Sequence, residues 1–169
     1  AKKYGWLMEP EWYNPMTAEV KRNPEVYIKS YDAIFTHDKE LLDIDPKFKF
    51  VFAYGSLVEE VGLFEKTKLV SCVCSKLTMS EGHKLRLEIA QQLAESGQVD
   101  MYGKAFKYIP RKIDGLKDYM FSFAMENSCY KSYFTEKLHD CFLTGTIPIY
   151  LGSPDIGNFY NLDGIIVMD

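Results

Sequence analysis

Short β-branched and aromatic runs alternate along this chain with helical patterns that stop at glycine, and no other feature limits its possible folds so tightly. The spacing predicts strands over 4–8, 32–36, 49–54, 68–73, 99–102, 119–125, 147–151 and 164–168, with helices near 24–30, 38–43, 81–96 and 134–144. In the helix from Glu81, the residues Leu85, Ile89 and Leu93 recur at i, i+4 and i+8, and Gly97 supplies a left-handed stop before the next strand. Leu138, Cys141 and Phe142 mark one face of a helix begun by Thr135, which Gly145 ends directly before TIPIYLG. Strand, helix, strand in this order requires crossover connections, so the expected class is α/β: a Rossmann-like parallel sheet with flanking helices. The stretch 107–118 reads as a loop, and a change of character at 58–66 as a linker. It divides a partial N-terminal α/β segment, 1–66, from a C-terminal Rossmann-like domain, 67–169.

Composition removes several classes of function. With 24 acidic and 20 basic residues the net charge is −4, and no Lys/Arg run appears, so nucleic acid is not an expected partner. No stretch of about 18 apolar residues could form a transmembrane segment, and AKKYGWLMEPEW has no secretory leader pattern, which points to a cytoplasmic protein. The chain opens on Ala and closes on GIIVMD, a strand still in progress, so both ends read as trimmed. Cys72, Cys74, Cys129 and Cys141 are scattered, as are His37, His83 and His139, and buried thiols are expected in place of a metal cluster.

In a parallel α/β sheet, ligands bind beyond the carboxyl ends of strands, where the next helices present free N–H groups and positive dipole ends. The loops after 68–73 and 119–125, with Gly152 to Pro154, should open on one such edge. That edge gathers Arg86, Asn127, Ser128, Tyr133 and Lys137, with Glu126 and Glu136 beside them. Two cations and helix amides suit a diphosphate leaving group, and carboxylates suit ribose hydroxyls. A phosphate-binding P-loop is absent, because Gln98 and Ala105 stand where it needs Gly and Ser or Thr. Asp43-Ile44-Asp45 mimics a metal-binding DxD, but Pro46 follows in a polar loop and no other residue supports a metal there.

The segment FSFAMENSCYKSYFTEKLHDCFLTGTIPIYLGSP, 121–154, resembles the nucleotide-sugar signature of the α-1,3-fucosyltransferases: a strand ending in Glu-Asn, then Y-x-T-E-K, a helix, and P-x-x-x-G-S-P. Arg86 and Leu93 on a helix followed by V-D-x-Y-G at 99–103 also look like that family. The resemblance implies a GT-B arrangement of two Rossmann-like domains, with Arg86 and Lys137 on the diphosphate, Tyr133 lining the nucleotide pocket, Glu136 at the ribose, and Glu126 and Asn127 in the same motif. It implies GDP-fucose as donor and a glycan acceptor; two cations and a helix N-terminus can neutralise the diphosphate, so no metal or other cofactor is expected. GWLMEPEWYNP, 5–15, resembles the segment that carries the family's general base, which places that role on Glu9, with Glu11 as the near alternative. Much of the family's N-terminal domain has no counterpart here, so the N-terminal domain is expected to be incomplete. The leading expectation is an inverting glycosyltransferase. A noncatalytic nucleotide-sugar or glycan-binding module, a transferase using another nucleotide sugar, and an α/β interaction domain are the alternatives.

Overall fold

The structure, a computed structural model, describes residues 1–53 and 55–168. Every pair of neighbouring strands in it is parallel. A first sheet, in the order β1-β2-β3, is built from β1 (Tyr4–Leu7), β2 (Ala33–Thr36) and β3 (Phe48–Phe50). Helices α1 (Pro15–Arg22) and α2 (Pro24–Ser30) connect β1 to β2, and α3 (Lys39–Leu42) connects β2 to β3.

The larger sheet contains β4 (Lys68–Val73), β5 (Asp100–Tyr102), β6 (Tyr119–Met125), β7 (Ile147–Leu151) and β8 (Ile166–Val167), in the order β5-β4-β6-β7-β8. Helix α4 (Glu81–Ser96) joins β4 to β5, and α5 (Glu136–Leu143) joins β6 to β7. Strand order therefore reverses between β4 and β6, which is the topological switch point where α/β proteins open a ligand crevice.

The local reasons are legible. Ser80 caps α4 by accepting from His83 N at 3.1 Å, and Gly97 ends that helix at φ 67, a conformation that glycine takes without steric cost. The core of the larger sheet packs Phe134, Leu138, Cys141 and Tyr150 against Leu116 and Ala124. Each large apolar side chain buried there contributes roughly 1.5–3 kcal/mol.

Several boundaries differ from the sequence expectation. The pattern gave no helix at 15–22, yet α1 forms, because Asn14 caps it by accepting from Met16 N at 2.9 Å and Pro15 occupies its first turn. The strand expected at 49–54 is the shorter β3, which leaves the sheet after Val51 N donates to Thr36 O; Tyr54 lies outside the described residues. Residues 112–115 of the expected loop form a 3-10 turn.

Helix α4 is also rotated from the expected face. Leu85 is 47% exposed, and the buried positions are His83, Arg86 and Ala90. The close seat of Gly82 on the β6 loop sets this rotation: a Cβ there would lie 2.1 Å from Asn127 O. Arg86 is thereby turned inward at the switch point.

Candidate functional site

Glu126 directly follows β6, and its N–H still bonds Leu151 O at 2.7 Å, so its backbone remains part of the sheet. Its side chain is wholly buried. Oε1 accepts from Thr135 N and Oε2 from Thr135 Oγ1, each at 2.7 Å, while Lys137 Nζ lies 3.1 Å from Oε2. Thr135 begins α5 as expected, but the oxygen that satisfies its orphan amide comes from Glu126, a carboxylate at a positive dipole end.

Lys137 also bonds Thr135 Oγ1 at 2.7 Å and pairs with Glu136 at 3.3 Å. Burial works against its charge, but Glu126 and Glu136 outweigh that and hold its pKa above the ordinary lysine value. Burial would likewise raise Glu136, yet Lys137 and Lys112 pull it down to about 2. Lys112 reaches Glu136 at 3.5 Å and Asp140 at 2.7 Å. The α5 N-terminus thus carries a lattice of alternating charge in which the three Lys137 N–H groups face Glu126, Thr135 and Glu136.

Arg86 faces this lattice from α4. It is 7% exposed, its Nη2 donates to Ser75 Oγ at 2.8 Å, and its Nε has no hydrogen-bond partner among the described residues. Its positive charge is felt at Lys137, where it disfavours the second cation. Glu126 and Glu136 outweigh that effect, so the two cations are held together at the switch point by carboxylates of the chain.

The loop from 127 to 135 closes the floor. Tyr133 is fully buried and donates to Asn127 Oδ1 at 2.8 Å, while its ring stacks on Tyr130 at 4.8 Å. Ser132 takes the left-handed region at φ 63, a cost of about 1–2 kcal/mol for a residue with a side chain. Asp155 holds it there, accepting from Ser132 N at 2.7 Å and Ser132 Oγ at 3.2 Å.

The carboxyl edge of the first sheet meets this loop. Trp12 Nε1 donates to Ser128 Oγ at 2.8 Å and its ring stands edge-on to His83 at 5.6 Å. His37, immediately after β2, stands edge-on to Tyr133 at 5.1 Å and to Tyr130 at 6.0 Å. A cavity of ≈ 900 Å³ lies beside these contacts, lined by Glu11, Trp12, Lys21, Asp38, Tyr130 and Lys131 among others. Burial pushes the Tyr130 phenol far above its ordinary pKa, and Asp38, Glu9, Glu11 and Glu126 push it further. Carboxylates from both sheets therefore converge on one ring.

The fold brings Arg86, Glu126, Asn127, Tyr133, Glu136 and Lys137 to the switch point. Glu126 and Tyr133 are enclosed there by protein, and both oxygens of Glu126 are engaged within the chain. Glu9 is half-buried beyond the end of β1 and does not line the cavity, whereas Glu11 does; Glu11 also pairs with Lys21 at 3.0 Å. Asp43 pairs with Lys39 at 3.2 Å and Asp45 accepts from Lys47 N at 2.8 Å. Sequence reasoning passed over Trp12, His37, Tyr130, Ser132 and Asp155. Of these His37 carried a signal, a polar side chain at the carboxyl end of a buried strand.

A parallel sheet with two cations and two helix N-termini at its switch point is the arrangement on which α/β proteins hold anionic groups. The chain belongs to glycosyltransferase family 10 (fucosyltransferase): residues 63–168 match that family's C-terminal region. It is 32% identical over 113 residues to 4-galactosyl-N-acetylglucosaminide 3-alpha-L-fucosyltransferase 9 of Cricetulus griseus and of Homo sapiens, a match covering 64% of this chain and 31% of each relative. The chain thus spans about a third of the length of these relatives. An α1,3-fucosyltransferase structure with GDP aligns over 99% of this chain and 57% of that one, with a TM-score of 0.66 and 16% identity, which establishes likeness of fold. Parallel sheets with flanking helices in a GT-B-like arrangement are as the sequence led us to expect. No helix among the described residues is long and apolar enough to cross a membrane, and family membership lends no support to a cytoplasmic location.

Proposed function

We propose that this chain carries the donor side of an inverting transfer of fucose from GDP-fucose to a glycan hydroxyl. The observation that carries the reading is the pair Arg86 and Lys137, brought from different helices to the β4/β6 switch point with one guanidinium N–H unclaimed. A diphosphate seated there gains charge-assisted hydrogen bonds that strengthen as the departing oxygen becomes negative. Glu126 orients Lys137 and Tyr133 braces Asn127, and Glu136 takes the role of meeting the ribose hydroxyls.

Glu9 serves as the base. Its negative charge is felt at Tyr130, which lines the cavity, and this nearness supports the assignment. There it takes the acceptor hydroxyl proton while that oxygen attacks the anomeric carbon opposite the diphosphate, with no covalent intermediate on the protein. Two cations and helix amides do the work that a divalent ion does elsewhere, so donor binding needs no metal.

The test is a melting-temperature panel of GDP, UDP, ADP and CMP, with and without EDTA. GDP should stabilise the fold most, since a ligand that binds only the native state raises its stability by mass action. Equal responses to all four nucleotides, or a GDP response lost in EDTA, would contradict the reading.

A further inference from the structure

His37 is the most costly side chain that the proposed reaction leaves unused. It is 2% exposed, and neither Nδ1 nor Nε2 has a hydrogen-bond partner among the described residues. Its position is not accidental. Thr36 Oγ1 accepts from Asp38 N at 3.1 Å and Asp38 Oδ1 accepts from Leu41 N at 3.3 Å, so the backbone on both sides of His37 is pinned and the ring is held at the sheet edge.

A phenylalanine would make the same edge-on contacts with Tyr130 and Tyr133 without two desolvated nitrogens, each of which is destabilising when unpaired. Packing therefore accounts for a ring at this position but not for an imidazole. Burial holds the ring well below the ordinary histidine pKa, at about 4, against a smaller opposing effect of Asp38. At neutral pH it is an uncharged group with one donor and one acceptor. That pair matches a sugar hydroxyl, which also donates and accepts, whereas a phosphate is met by Arg86 and Lys137.

Place gives the same answer. In an in-line displacement the sugar lies between the base and the leaving diphosphate, and His37 belongs to the base's sheet while touching the diphosphate side's loop. Tyr130 both packs edge-on to the imidazole and lines the cavity, so that one half-buried side chain links the ring to the cavity wall.

We propose that His37 binds hydroxyls of the donor sugar, and so sets which nucleotide sugar is held once the nucleotide is seated. This rests on the donor reading above.

The test compares affinities for GDP and GDP-fucose in the wild-type protein and in His37→Phe, with melting temperature as the folding control. His37→Phe should keep GDP affinity within about twofold, lose about tenfold for GDP-fucose, and melt no lower than wild type. In wild type, the ring ¹⁵N shifts of His37 should move with GDP-fucose and stay with GDP, a readout that does not depend on the variant folding. If wild type binds both ligands but the variant keeps their ratio, or the ring shifts ignore GDP-fucose, this inference falls while the donor reading stands. A wild-type protein that binds neither ligand overturns the donor reading and this inference with it.

Discussion

Lys137 Nζ sits 3.1 Å from Glu126 Oε2, and of the two partners only Lys137 keeps any exposure, 20% against 0%. The carboxylate that orients the cation therefore depends on it in return. A buried charge stripped of its partner is far more costly than the pair itself is stabilising.

Lys137→Ala should accordingly weaken GDP binding by about 1.5–3 kcal/mol and also destabilise the fold by about 3 kcal/mol or more, because Glu126 is left uncompensated. The double variant Glu126→Gln, Lys137→Met should recover much of the stability and none of the affinity. Urea unfolding and calorimetry read the two effects separately; a single variant as stable as wild type would contradict the burial argument.

Gly82→Ala should lower melting temperature and GDP affinity together. The added Cβ would lie 2.1 Å from Asn127 O and 2.7 Å from its carbonyl carbon, both backbone atoms that cannot rotate away. Overpacking of this kind costs about 1–3 kcal/mol, and relief requires the N-terminus of α4, with Arg86 one turn on, to back away from the switch point. Unchanged melting would show that the helix has room to shift.

Stability should fall in two stages as pH is lowered. His37 has a folded pKa of about 4. Between the unfolded value of about 6.5 and 4, the unfolded chain therefore takes up a proton that the native state refuses, and stability drops by up to about 3 kcal/mol. Asp38 opposes this shift, and Tyr130, one of the two phenols packed on the ring with Tyr133, is pushed to higher pKa and so stays neutral over this range. Glu136, folded at about 2, contributes stability above its unfolded value of about 4.5 that is lost as pH falls toward 2. His37→Phe should shrink the first stage to the part due to His83, whose pKa burial also lowers, and leave the second; urea midpoints at pH 7, 5 and 3 distinguish them.

Glu9→Gln should keep GDP affinity and reduce fucosyl transfer by roughly 10²-fold, the usual loss when a general base is removed. Glu11→Gln is the companion measurement, because Glu11 lines the cavity and is tied to Lys21 at 3.0 Å. Transfer retained by the first variant and lost by the second would move the base to Glu11.

By itself the sequence determined the order of the strands, the parallel α/β class and the sheet edge on which the candidate site residues gather. Those properties depend on local periodicity, on stops such as Gly97 and Gly145, and on the short span Glu126–Lys137, in which strand end, loop and helix start are contiguous. Helix α1 escaped because its eight residues bury only Thr17 and Val20, too few to set a period, and only the cap at Asn14 and Pro15 announced it. Tertiary structure alone decided the rotation of α4. Leu85, Ile89 and Leu93 have the better apolar spacing, but the contact of Gly82 with Asn127 O, between residues 45 apart in the chain, turns Arg86 inward instead. It also decided the meeting of His37 with Tyr130 and Tyr133 and of Trp12 with Ser128. Contacts between two sheets have no period in sequence, because each side chain there answers to a neighbour that only the folded chain brings near.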